Sequence, residues 1–481
     1  MFSLVTLSLF ARTEHYGNLQ NDPFKKSYKE LPNPVSTDMS NWRKVSSTNV
    51  SWGSTDIRYR KEVPPLIKKN SLNTKLTAWR GEKVSSQFIV WSNCDINNLS
   101  ISIGDLKHKN NRGIIESNNI ESGFVRYVMT DQLNIDGKGG CGQRPDASIF
   151  DSTLVADPID HITKSLSLPA YNTQGVWIKV QIPKDVSPGI YKGVITVMND
   201  KDIIDELHIT IEVIDRLLPK PENWSFFLDL WQNPFSIARI HNTELWSDDH
   251  FEAMKPYMEM YKNAGGKSIT ASIMHKPWNA QTYDYFETMV TWIKKADGTW
   301  MFDYTIFDKW VEFMIGIGIN QSITCYSMIP WKLSFQYFDQ ATNKLKFIDM
   351  KPGDNLFQEV WGEMLSSFSK HLRKKNWFDI TYISMDERPM EAMKETIKVI
   401  KSSDSEFKIS LAGALHEELS DDIDYFCVPL RMKYPEEMRE NRKKQNKITT
   451  YYTSCEEAFP NTFTFSSPAD CEWFGWYAAK E

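Results

Sequence analysis

The chain has 481 residues, long enough for two or more separately cored domains, and its 41% hydrophobic and 25% charged residues are the balance of a soluble globular protein. A formal charge of −6 excludes the basic stripe that a nucleic-acid footprint needs, so no nucleic-acid partner is expected. No apolar run in the sequence approaches the roughly 20 residues of a transmembrane segment.

The six cysteines (Cys94, Cys141, Cys325, Cys427, Cys455 and Cys471) lie far apart without CxxC spacing, and the nine histidines are scattered without HExxH. Neither a P-loop nor a GxGxxG after a strand is present. No metal and no other cofactor is expected, and no dense disulfide framework. The 17 Trp and 19 Tyr offer flat apolar bodies with polar edges, suited to stacking under sugars, although large aromatic cores account for most of them.

In chain order, MFSLVTLSLFA is apolar but short, with no Lys or Arg before it. It reads as the remnant of a secretory signal segment or as a packed or disordered N-terminus. With the Asn-, Lys- and Pro-rich stretch behind it, it makes residues 1–35 a leader, and a secreted, periplasmic or cell-surface location is the expectation. Residues 36–215 read as strands: KLTAWRGEKVSSQFIVWS (75–92), GVWIKVQIPKD (175–185), GIYKGVITVMND (189–200) and ELHITIEVID (206–215) alternate apolar and polar side chains between Pro-Gly or Asn-Asp turns. Period-two runs at this spacing predict an antiparallel β-sandwich. RLLPKPEN (216–223) reads as a linker.

From Trp224 to Glu481 short apolar runs alternate with helical segments. Seven runs, at 224–231, 267–274, 321–329, 378–386, 407–413, 424–430 and 447–453, read as strands buried on both faces. Helices are expected over SDDHFEAMKPYMEMYKNAGG, with Ser247 as N-cap, and over 303–318, 354–376, 467–481 and the segment behind Pro389. The unit predicted over 224–481 is a (β/α)8-type barrel. Its eighth strand is expected after 467–481, where the chain stops, so the barrel reads as truncated at its C-terminus or as off by one.

In a barrel, chemistry collects at the carboxyl ends of the strands. Those ends bring Asp229, Trp231, Gln232 and Asn233; His275, Lys276, Pro277 and Trp278, with Tyr283 and Tyr285 after them; Tyr326, Ser327 and Trp331; Asp386 and Glu387; and Tyr451 and Tyr452. Each aromatic is as readily explained by packing, but their recurrence at one end is not. Alternation puts Tyr382, Ser384 and Asp386 on one face and Ile383 and Met385 on the other. The adjacent acids fit a helix N-terminus or a catalytic pair. A retaining glycosidase with two protein carboxyls needs them about 5–5.5 Å apart across the bond, which sequence neighbours do not span. They can stand on one side of a sugar whose 2-acetamido group attacks its own anomeric carbon. In a dry pocket the repulsion between the two charges is expected to outweigh the helix starting at Pro389, leaving one acid protonated near neutral pH.

LDLWQNPF, MHKPWNAQTYDYF, ITCYSMIPW, ISMDERP, SLAGALH and TTYYTS with PNTFTFSSPADCEWFGWYA resemble glycoside hydrolase family 123, the β-N-acetylgalactosaminidases. WRGEKVSSQF, GGCGQRPD and VSPGIYKG resemble that family's N-terminal sandwich. The resemblance implies a retaining exo-hydrolase that removes terminal β-linked N-acetylgalactosamine through an oxazoline. Asp386 would orient the acetamide and Glu387 would be general acid/base, with Trp231, His275, Trp278, Tyr326 and Tyr452 around the sugar. The family's barrel closes with an eighth strand, so part of the sugar pocket is expected to lie beyond this sequence. Two other readings stand beside it: a non-catalytic glycan-binding protein on an incomplete barrel, and a hydrolase recruiting a second protein acid such as Asp229.

Overall fold

A computed structural model describes residues 28–130, 153–279, 281–457 and 459–481. Most of the expected leader and the GGCGQRPD stretch lie outside the described residues. The chain divides into two compact units, residues 28–219 with 454–481, and residues 220–453.

Among its described residues the first unit is built of strands, with short 3-10 turns at Met39–Trp42 and Ser117–Asn119 and a C-terminal helix. One five-stranded antiparallel sheet has the order Asn49–Gly53, Lys83–Ser92, Asn172–Gln181, Ile120–Thr130, Thr153–Asp160. In the second sheet Asn73–Arg80, Asp202–Leu217, Gly189–Asn199, Ile96–Ile103 and Ser165–Leu168 are neighbours in that order. Every pairing along this second path is antiparallel except that of Asn73–Arg80 with Asp202–Leu217, which is parallel, a departure from the antiparallel sandwich predicted. Val176, Ile178 and Val180 of one sheet and Ile209, Ile211 and Val213 of the other meet in a single buried core, as period-two alternation dictates. The run read as one stretch over 75–92 is two strands in different sheets. Gly81, at φ +85°, makes the turn between them. Part of the leader is packed here, since the Glu30 carboxylate pairs with Arg126 (2.6 Å) and with Lys61.

Residues 454–481 group with this unit, although their texture continues that of the strand–helix units. Arg58 Nε donates to the Ser466 carbonyl (2.8 Å), Asn461 N donates to Asp470 (3.1 Å), and Cys455 is disulfide-bonded.

The second unit holds a six-stranded parallel sheet in the order Ser268–Ser272, Ser322–Tyr326, Thr381–Met385, Lys408–Ala412, Tyr425–Pro429, Ile448–Tyr452. Helices Asp248–Asn263, Thr305–Ile317, Asn355–Lys375 and Met390–Ser403 occupy the segments expected for them, and Ser247 caps the first by accepting from His250 N (3.2 Å). The predicted strand over 224–231 is reduced to one bridge, Leu228 to Gly266. Side chains take the bonds a neighbour would have made: Tyr261 OH donates to Leu228 O (3.0 Å), and the Gln232 amide donates to Leu230 O and to Ser268 O (3.2 Å). A four-stranded sheet of Trp300–Asp303, Thr291–Lys294, Ser334–Asp339 and Lys344–Asp349 has no counterpart in the sequence reading, its strands being too short for periodicity to register.

The parallel strands are not apolar on both faces, as predicted. Ile269, Ala271, Ile323, Cys325, Ile383, Met385, Ile409, Leu411, Phe426 and Val428 face the helix-covered core. The other face carries Ser268, Thr270, Thr324, Ser384 and Ser410, all buried; four of the hydroxyls are paired, as in Ser384 Oγ to Ser410 Oγ (2.5 Å) and Thr324 Oγ1 to Ile269 O (3.2 Å), while Thr270 Oγ1 has no hydrogen-bond partner among the described residues.

Candidate active site

Parallel pairing brings the carboxyl ends of adjacent strands to one edge of a sheet. Tyr326 is in register with Ser384, and Met385 with Leu411, so Asp386 and Glu387 emerge between the ends of the Ser322–Tyr326 and Lys408–Ala412 strands. Pro389 then starts the helix Met390–Ser403, holding the acids on a short connection.

Each acid is held by a different neighbour. Trp331 Nε1 donates to Asp386 Oδ2 (2.9 Å), and Glu387 N donates to Asp386 Oδ1 (2.8 Å). Tyr452 OH donates to Glu387 Oε1 (2.7 Å). Arg388 lies 4.3 Å over the Trp331 ring and donates from Nε to Ile329 O (2.8 Å), which braces the indole from behind. Burial is the main reason the Asp386 carboxyl sits above its usual pKa; Trp331, the Glu387 amide and Arg388 pull it down, and the Glu387 charge pushes it up least. The desolvation of Asp386 is the larger effect.

The aromatic strand ends form a shelf. Trp231 stacks on Trp278 with centroids 4.9 Å apart and contacts Tyr326 at 4.7 Å, while Trp278 and Tyr326 meet at 5.0 Å. Trp231 is 43% exposed, against 5% for Trp278 and 2% for Tyr326. Of the three only Trp231 is exposed, and the other two back it. Burial raises the Tyr326 hydroxyl well above its ordinary pKa, and the charges of Asp229 and Asp386 add to that. His275 has ring contacts with Tyr285 and Phe347 at 6.1 Å each. Burial and Lys276 lower its pKa to about 4, so it is neutral at pH 7.

Asp229 is enclosed, its carboxylate accepting from Tyr425 OH (2.7 Å), and burial raises its pKa to about 6. Lys276 is over the Tyr285 ring (3.8 Å) and Arg239 over the exposed Tyr283 (4.8 Å). Among the described residues no cluster of three or more His, Cys, Asp or Glu is arranged to hold a metal ion, and no helix is long and apolar enough to cross a membrane.

Three residues acquire a place that sequence reading did not give them. In the sequence Trp331 is one more aromatic at a strand end, Arg388 a residue of ISMDERP, and Gly413 a residue of SLAGALH. An ideal Cβ built on Gly413 falls 2.9 Å from Glu387 Cγ, 3.3 Å from its Cα and 3.4 Å from its N.

Adjacent acids with an exposed indole nearby, at the carboxyl ends of a helix-covered parallel sheet, are the equipment of a glycoside hydrolase, an enzyme acting on a carbohydrate substrate. Comparison with known proteins supplies the family. The model of the glycoside hydrolase 123 catalytic domain matches residues 231–481, and that of the glycoside hydrolase 123 N-terminal domain matches residues 52–199. The chain belongs to glycoside hydrolase family 123. It is similar, at 30% identity and a TM-score of 0.81, to a family 123 glycoside hydrolase from Clostridium perfringens studied for glycolipid glycan hydrolysis, over 90% of this chain and 77% of that one. A family 39 glycoside hydrolase from Bacteroides cellulosilyticus is matched at 11% identity and a TM-score of 0.26, over 68% of this chain and 55% of that one. A Bacteroides ovatus xyloglucanase is matched at 10% identity and 0.23, over 90% and 100%. Neither of these two carries an argument. No curated protein matches the chain.

Proposed function

We propose that the protein is a retaining exo-β-N-acetylgalactosaminidase acting on glycans or glycolipids, with the substrate's own acetamide oxygen as nucleophile. The observation that carries this reading is the paired emergence of Asp386 and Glu387 from one strand end, each with a separate hydrogen-bond donor. Galactosamine rather than glucosamine rests on family membership. A glycolipid aglycone rests on likeness to the Clostridium enzyme and the glycolipid glycan hydrolysis described for it.

In the first step Glu387 gives its proton to the glycosidic oxygen as the bond from that oxygen to C1 breaks. The acetamide oxygen bonds to C1, and the N–H proton passes to Asp386, leaving a neutral oxazoline. A raised carboxyl pKa suits Asp386 to receive that proton. In the second step Glu387 takes a proton from water as the water oxygen bonds to C1. The oxazoline opens, and Asp386 returns its proton to nitrogen. Intramolecular attack can remove about 7–11 kcal/mol of barrier, and general acid help adds about 10²–10⁴-fold. Trp231 offers the sugar an apolar face, backed by Trp278 and Tyr326. His275 and Tyr452 complete the set proposed around the substrate, Tyr452 by holding Glu387.

The parallel sheet is read as part of a (β/α)8-type barrel, and the protein as secreted or cell-surface. The disulfide at Cys455 supports an oxidising compartment. The test pairs a β-galactoside with the matching β-N-acetylgalactosaminide. The acetamide substrate alone should turn over; equal rates on both would remove the proposed nucleophile.

A further inference from the structure

We propose that Gly413 is a positioning residue for Glu387, and that the missing side chain at 413 sets where the general acid/base stands. The inference rests on the role given to Glu387 above. Gly413 directly follows the Lys408–Ala412 strand, and its N donates to the Cys427 carbonyl (2.9 Å), so it is fixed to the neighbouring strand end. The direction in which its Cβ would project is occupied by Glu387, from the backbone N to Cγ, at 2.9–3.4 Å. Real Cβ atoms rarely approach other atoms this closely, and none of these three atoms is the free end of a flexible chain. A methyl group at 413 therefore displaces Glu387 rather than fitting beside it. The carboxyl of Glu387 also accepts a hydrogen bond from Tyr452 OH (2.7 Å), whose strand lies two places beyond that of Gly413 in the sheet. Gly413 and Tyr452, contributed by different strands, thus both restrict Glu387, one by leaving room for its backbone and Cγ and the other by a hydrogen bond to its carboxyl. The glycine is not explained by backbone conformation, since its φ lies outside the positive range that favours glycine.

Gly413→Ala should fold and leave KM for an N-acetylgalactosaminide nearly unchanged. On a substrate with a poor, alkyl-type leaving group kcat should fall about 10- to 100-fold, the scale of a sub-ångström to 1 Å misplacement of a catalytic group. On an aryl substrate whose leaving group departs without protonation, the loss should be several-fold smaller. Gly316→Ala, where an added Cβ meets nothing within 4 Å, should leave both rates unchanged. Equal losses on the two substrates, or no loss on either, would overturn the proposal. A second readout does not need activity. In a Glu387→Ala background, which lacks Cγ, the fall in Tm caused by Gly413→Ala should shrink, and a Gly413→Ala variant too unstable to purify should be recovered in the double variant. Equal Tm losses in both backgrounds would overturn it. If the unaltered protein cleaves no N-acetylhexosaminide, the functional reading fails, while this thermal cycle still decides whether 413 positions 387.

Discussion

At the scale of single residues, removal from water sets the Asp386 and Asp229 carboxyls above their usual range. Trp331 is the donor whose loss can be read most directly. Its N–H favours the ionised form of Asp386, so Trp331→Phe should raise the Asp386 pKa further and move the acidic limb of the kcat/KM profile to higher pH. A hydrogen bond to a charged group is worth about 1.5–3 kcal/mol, so a rate loss of tenfold or more should accompany the shift. An unmoved limb would separate Trp331 from Asp386. Asp229 gives a stability effect of definite sign. Its pKa is about 6 when folded against 3.8 for the free side chain, so proton binding favours the folded state fully below about pH 3.8, and that contribution is lost as pH rises through 6. Asp229→Asn removes the titration. Relative to the unaltered protein it should gain stability between pH 4 and pH 7, by at most about 3 kcal/mol, as followed by urea unfolding at several pH values.

At the scale of elements, the strand bearing Tyr452 depends on a buried arginine. Arg442, 1% exposed, donates to the carbonyls of Ser420 (3.1 Å), Ile423 (2.7 Å) and Ile448 (2.7 Å) and to Thr449 Oγ1 (2.9 Å). Arg442→Met leaves those buried acceptors without a donor and should cost about 3 kcal/mol in urea unfolding, with a fall in kcat because Ile448–Tyr452 carries the donor to Glu387. A change within about 0.5 kcal/mol would show that the clip is replaceable. The parallel strands are legible in the sequence because Ser-Ile-Thr-Ala-Ser and Ser-Ile-Thr-Cys-Tyr end in clear polar and aromatic signals, and the acid pair lies at one such end. The 224–231 segment misleads because apolar content reports burial, not pairing, and its partners are the Tyr261 hydroxyl and the Gln232 amide rather than a ladder. The polar inner face is present in the same alternation, but small hydroxyl side chains between apolar ones also suit burial on both sides. Gly413 could not be recognised, since its meaning lies in the position of a side chain 26 residues earlier in the chain.

At the scale of the whole molecule, the sequence order of segments and their grouping in space differ. The helix Pro468–Lys480 buries Asp470 rather than any of Trp473, Phe474, Trp476 and Tyr477, so its aromatic residues do not declare what it packs on. Its compact unit is the β-rich one, where Arg58 binds the Ser466 carbonyl. Deleting 454–481 should therefore lower the thermal transition of the β-rich unit, seen as increased amide exchange in strands such as Asn172–Gln181. Unchanged protection there would contradict the grouping. For function, the central claim is that the hexose supplies its own nucleophile at the Asp386–Glu387 pair. The most direct measurement is kcat/KM along a series of β-galactosaminides whose N-acetyl group carries zero, one, two or three fluorines. Fluorine withdraws electrons from the amide oxygen, so the rate should fall steeply with each substitution. A rate indifferent to fluorination would mean that another group attacks the anomeric carbon.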